Sequence, residues 1–117
     1  MATKAMNRGK AFERKVGALL GGRRILRADV HGEDRGDVID LPTDALFIEC
    51  KSRSNSTPHT VWEKAKKSCK PGQHPVVFFG KVNSPRLLVC FEWEDLTVVS
   101  RLLEQCRAAG LEDDDAR

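Results

Sequence analysis

Asp37, Glu49 and Lys51 are the residues whose types and spacing are best suited to chemistry in this chain. They sit in residues 35–51, two short apolar runs joined by a Pro42-Thr43-Asp44 turn, with acids where apolar side chains would pack better. Such a conflict between packing and polarity is characteristic of a site. If the turn centres on Thr43, antiparallel pairing matches residues whose numbers sum to 86, setting Asp37 opposite Glu49 and Ile39 opposite Phe47. Directly opposed Cβ atoms lie about 4.5–5.5 Å apart, so the two carboxylates come within reach of one ion. Glu49 and Lys51, two apart on a strand, share that face, and Leu46, Ile48 and Cys50 fill the other. Asp40 falls on the wrong face, and Asp44 belongs to the turn.

Two carboxylates with no Cys or His on their face select a hard, oxygen-loving cation, Mg²⁺ or Mn²⁺ rather than Zn²⁺. Such an ion polarises a phosphoryl oxygen and turns a bound water into a nucleophile near neutral pH. An ammonium at Lys51 is then placed to orient that water or to stabilise charge building on the phosphate. Glu13, on a helix expected to pack on the same sheet, is a third carboxylate that can complete the metal shell directly or through water. A merely structural reading of these acids is disfavoured, because burying two carboxylates together without a cation is costly.

The charge distribution points to a polyanionic partner. The formal net charge of +3 hides an asymmetry. Residues 1–27 carry eight basic side chains against Glu13 alone, and residues 51–70 carry six against Glu63 alone. From residue 92 onward eight acids face three arginines. A phosphate backbone is the partner expected for the two basic segments.

The elements that must position these groups follow from periodicity. Phe12, Val16, Leu19 and Leu20 form one helical stripe, predicting a helix over 7–20 with Asn7 as cap and Gly21-Gly22 as its end. Residues 23–28 read as a short strand and 29–36 as a flexible loop containing His31, which is read as solvent-exposed. After the hairpin and a polar loop at 52–58, Val61, Ala65 and Cys69 predict a helix over 60–70, closed by Pro71-Gly72. Trp62 has two readings, a packing aromatic or a platform for a base or sugar. Residues 75–80 and 86–91 are apolar strands that supply core. Leu96, Val99, Leu103 and Cys106 predict a helix over 93–109 ending at Gly110, followed by an acidic disordered tail, 111–117.

At 117 residues the chain is read as one domain, 1–110, plus that tail. No apolar run approaches the roughly 20 residues of a membrane span, and no signal-peptide pattern opens the chain, so the expected location is cytoplasmic with no membrane partner. Cys50, Cys69, Cys90 and Cys106 lack the spacing of a zinc site or a disulfide framework.

Asn7-Arg8-Gly9-Lys10-Ala11-Phe12-Glu13-Arg14-Lys15, then Gly36-Asp37-Val38-Ile39, then Ile48-Glu49-Cys50-Lys51-Ser52-Arg53 resemble the motifs of the PD-(D/E)XK nuclease superfamily, most closely its archaeal-type Holliday-junction resolvases. The likeness covers roughly residues 7–91. It implies an α/β fold with a central mixed sheet flanked by helices, a restriction-endonuclease-like core. It also implies a homodimer and Mg²⁺-dependent cleavage of paired strands in four-way DNA. By position, Glu13, Asp37 and Glu49 would be metal-shell acids, Lys51 the catalytic lysine, and Arg14 a DNA-contacting or site-supporting residue. Gly36 stands where the superfamily name has proline. The candidates for DNA contact are Arg8, Lys10, Arg14, Arg24, Arg27, Arg35, Arg53, Lys64 and Lys67. Two alternatives stand beside junction resolution: another nuclease of the superfamily, repair or restriction-like, and a DNA-binding module without catalysis.

Overall fold

The computed structural model describes residues 4–30, 32–52, 57–81 and 83–115. His31 and Arg53 lie outside them. The protein is α/β, with one five-stranded mixed sheet in the order β1-β2-β3-β4-β5. The strands are β1 (Arg23–Arg24), β2 (Val38–Ile39), β3 (Leu46–Lys51), β4 (His74–Gly80) and β5 (Leu87–Cys90). The helices are α1 (Lys4–Leu19), α2 (Pro58–Ser68) and α3 (Leu96–Asp115). All pairings are antiparallel except β3 with β4, which run parallel and are linked through α2.

Because side chains alternate along a strand, β3 feeds two cores. Leu46 and Ile48 join Phe12 and Val16 of α1, Leu20 just beyond it, and Val99 and Cys106 of α3, with Cys50 packed against them. Phe47 joins Val61 and Ala65 of α2 and Val77 of β4. The alternation expected for a strand buried on both faces is therefore realised, with α1 and α3 on one side and α2 on the other. Phe78 is 4% exposed in the first core. Trp62 packs against the second, its Nε1 buried without a hydrogen-bond partner among the described residues.

The ends of several elements differ from their predicted places. Asn7 is inside α1 rather than capping it, because Lys4, Ala5 and Met6 contain nothing that stops a helix. The C-terminal end is as read, with Gly21 at φ 72° and Gly22 N–H donating to Gly17 O at 2.9 Å. The strand expected over 23–28 pairs only at Arg23 and Arg24. Beyond it the Asp29 carboxylate accepts the Leu26 N–H at 2.8 Å and curls Arg27–Asp29 into a 3₁₀ turn. The last helix starts after a 3₁₀ turn at Trp93–Asp95 and runs through Gly110 to Asp115, so residues 111–115 are helical rather than a disordered tail. Gly110 is buried, and any side chain there would collide with the carbonyl oxygens of Ala18 and Leu19. It permits contact between α1 and α3; it is not a stop signal.

Candidate active site

The observed pair Val38↔Ile48 has the predicted sum of 86, the register in which Asp37, one residue before β2, falls level with Glu49 of β3. Asp37 is held on both sides: its N–H donates to Ile48 O at 2.7 Å, and its carbonyl accepts the Ile25 N–H at 2.9 Å. Its side chain is aimed by a further bond, Cys50 N–H to Asp37 Oδ2 at 2.8 Å. The residue that lets Asp37 approach so closely is Gly36, buried and at φ 81°. A Cβ there would stand 2.6 Å from Ile48 O. Glycine at this position thus has a local reason: the left-handed backbone and the contact with β3 both exclude a side chain.

The electrostatics follow from this packing. Asp37 is pushed up to about 6, first by burial, opposed by the Cys50 N–H, raised again by the Glu13 charge and lowered by Lys51. Glu49 is pushed up to about 7, first by burial and then by the Asp37 charge, with Lys51 and Lys64 acting in the opposite direction. The Cys50 thiol is raised by burial and by the charges of Asp37, Glu13 and Glu49. Burial and mutual repulsion both oppose ionisation of the carboxylates, while Lys51 and Lys64 offset only part of the repulsion.

Glu13, expected as a third acid of the metal shell directly or through water, is paired with a cation of the sheet. Its Oε2 lies 3.0 Å from Arg24 Nε, both side chains about 20% exposed. It acts on Asp37 through charge. Among the described residues no group of three or more His, Cys, Asp or Glu side chains is gathered closely enough to hold a metal ion. Arg24, expected to meet DNA phosphate, is paired with Glu13. The donor set still fits Mg²⁺, which is commonly bound by one or two carboxylates with water filling the rest. Asp37 and Glu49 would hold it, and their unfavourable burial is the deficit a divalent cation would offset.

The remaining predicted residues divide by exposure. Arg8, Arg14, Arg27, Arg35, Lys64 and Lys67 are exposed, and Lys10 and Lys51 are half-buried. Lys64, on α2, is near enough to Glu49 to influence its ionisation, which places the α2 basic face beside the carboxylate pair. Asp34 is a carboxylate that the motif reading missed. It accepts the Gly36 N–H at 3.0 Å and raises both Asp37 and Glu49 by its charge. Its one signal in the sequence is its place three residues before Asp37, which is hard to distinguish from an ordinary polar loop. Comparison of the chain with family models, with characterised proteins and with solved structures gives no match in any of the three.

Proposed function

We propose that this protein is a metal-dependent endodeoxyribonuclease of the PD-(D/E)XK type, with a restriction-endonuclease-like core, acting as a cytoplasmic homodimer that resolves four-way DNA junctions. One observation carries the reading: the Val38↔Ile48 pair and the Cys50 N–H bond to Asp37 Oδ2 bring Asp37 level with Glu49, close enough for its charge to act there, with Lys51 two residues further along the same face of β3. Asp37 and Glu49 would hold Mg²⁺ or Mn²⁺, which when bound supplies a polarised phosphoryl oxygen and an activated water. Lys51 meets the negative charge that develops on the phosphate, in a setting where partial burial strengthens its effect. Arg24 holds Glu13 by an ion pair beside the sheet, and Lys64 and Lys67 of α2, with Arg14 and Arg27, offer cations to the flanking phosphates. A two-fold dimer suits a junction, which needs two symmetric cuts.

The test is cleavage of a synthetic four-way junction, a linear duplex and a flap, each with Mg²⁺ and with chelator. Paired symmetric nicks confined to the junction support junction resolution. Equal cutting of linear duplex moves the assignment to another nuclease of the superfamily, and metal-independent binding without cutting moves it to a binding module. Glu49→Ala and Lys51→Ala are expected to abolish cleavage while leaving junction binding largely intact.

A further inference from the structure

The free edge of the sheet carries a pattern that the catalytic reading does not use. Among the described residues β5 is the terminal strand, with β4 on one side and no strand on the other. Its apolar side chains stand out on both faces. Leu88 is 66% exposed and lies opposite Phe79, on the α2 face; Val89 is 42% exposed and lies opposite Phe78, on the α1 face. Trp93 and Leu96 continue the strip at 79% and 41% exposure. A groove of about 530 Å³ borders this strand, lined by Phe79, Arg86, Leu88, Val89 and Cys90 among others. Monomers usually guard an apolar edge with like charges, a covering helix or prolines.

Here the two ends of the strand carry opposite charges, exposed Arg86 before it and exposed Glu92 after it. Parallel pairing of two such edges would set Arg86 on Arg86. Antiparallel pairing about a two-fold axis at Val89 matches residues whose numbers sum to 178. Leu87 then meets Phe91 of the second copy, Leu88 meets Cys90, and Arg86 meets Glu92, each pair occurring twice by symmetry. We propose that β5 is the homodimer interface: a second copy of this chain adds its own β5 antiparallel to the edge, joining the two sheets into one.

This inference rests on the homodimer of the proposed function and names its interface; it does not depend on the cleavage chemistry, though one consequence does. Lys51, Phe79 and Leu88 lie in one row across β3, β4 and β5. Five strand spacings separate the two copies of β3 in the joined sheet, roughly 24 Å between the Lys51 rows. A two-fold axis normal to a sheet preserves its faces, so both sites open on the same side. A branched duplex substrate would meet two sites on one surface.

The experiment measures mass, by sedimentation or light scattering of the full chain across a concentration series. Wild type is expected to be dimeric, and Leu88→Lys monomeric with an unchanged circular dichroism spectrum. Arg86→Glu and Glu92→Arg should each weaken association about tenfold or more, and the double exchange should restore it, since the complementary pair is rebuilt with reversed sign. Val89→Cys is expected to give a covalent dimer under mild oxidation, because the residue on the axis faces its own copy. A monomeric wild type, a dimer indifferent to Leu88→Lys, or a double exchange no better than the singles overturns the proposal. Because the readout is mass, a dimer indifferent to these substitutions removes only the β5 interface, a monomeric wild type removes the homodimer as well but not the cleavage chemistry, and a dimer that cuts nothing leaves this interface standing.

Discussion

Arg24 Nε lies 3.0 Å from Glu13 Oε2, and this pair couples the first helix to the edge of the sheet beside Asp37. The contact depends on Gly17, one turn beyond Glu13, where a Cβ would stand 3.1 Å from the backbone of Arg23 and Arg24. Glycine there lets β1 lie close along α1, so that Arg24 reaches the carboxylate.

Removing the guanidinium with Arg24→Met leaves Glu13 half-buried and unpaired. Fully buried pairs lose about 3–5 kcal/mol when broken, and exposed ones about 0–1. At about 20% exposure the expected loss lies between, about 1–3 kcal/mol in a urea titration. DNA binding should separate this role from phosphate contact. Arg14→Met or Arg27→Met, both exposed, should reduce the salt dependence of junction binding by about one phosphate contact each. Arg24→Met should leave that slope unchanged. A slope reduced as much as for Arg27→Met would return Arg24 to the DNA surface.

Gly36→Ala is expected to destabilise the fold by about 2–3 kcal/mol or more, since it adds left-handed strain to a collision with Ile48 O. Gly32 is the control, at φ 86° with open space around its missing Cβ. Gly32→Ala bears the strain without the collision and should cost only about 1–2 kcal/mol. Because Gly36 precedes Asp37, its substitution should also lower metal-dependent activity, whereas Gly32→Ala should not. Equal losses in both variants would show that the approach to β3 is unimportant.

The sheet and the carboxylate pair were legible because they depend on local rules. Strand alternation assigned Leu46, Ile48 and Cys50 to one face, and the Thr43-centred turn gave the observed register. The first two helices followed from apolar spacing. What escaped were features set by tertiary contact. Arg24 reads as one more cation in a basic segment until the fold brings Glu13 beside it. Gly110 reads as a helix stop, yet its meaning lies in the carbonyls of α1, remote in sequence. Its role makes an unusual substitution prediction. Glycine to alanine in a helix interior ordinarily gains about 1 kcal/mol. Gly110→Ala should instead lower the melting temperature, because the new methyl meets Leu19 O and Ala18 O. A raised melting temperature would mean that α3 can shift away from α1 at little cost.

The raised carboxyls of Asp37 and Glu49 set the pH dependence of stability. Each holds its proton more strongly in the folded chain than in the unfolded one, where ordinary values near 3.8 and 4.5 apply. Between about pH 4 and 7 the folded state therefore binds more protons, and stability falls as pH rises. Their favourable contribution is complete below the unfolded values and is lost as pH passes about 6 and then about 7. At about 1.4 kcal/mol per unit the shifts set an upper bound of about 3 kcal/mol for each group. Solvent access and the coupling between them reduce the combined effect to roughly 1–2 kcal/mol. In chelator, thermal melts should show this decline from pH 5 to 8, and Mg²⁺ should offset it most at the alkaline end, where both groups are ionised. Glu49→Gln removes one titrating charge and the group on which the Asp37 charge acts, so its melting temperature should depend less on pH and respond less to Mg²⁺. If Glu49→Gln retains the wild-type pH profile, the two carboxylates do not share a strained site, and the assignment of a cation to them fails with it.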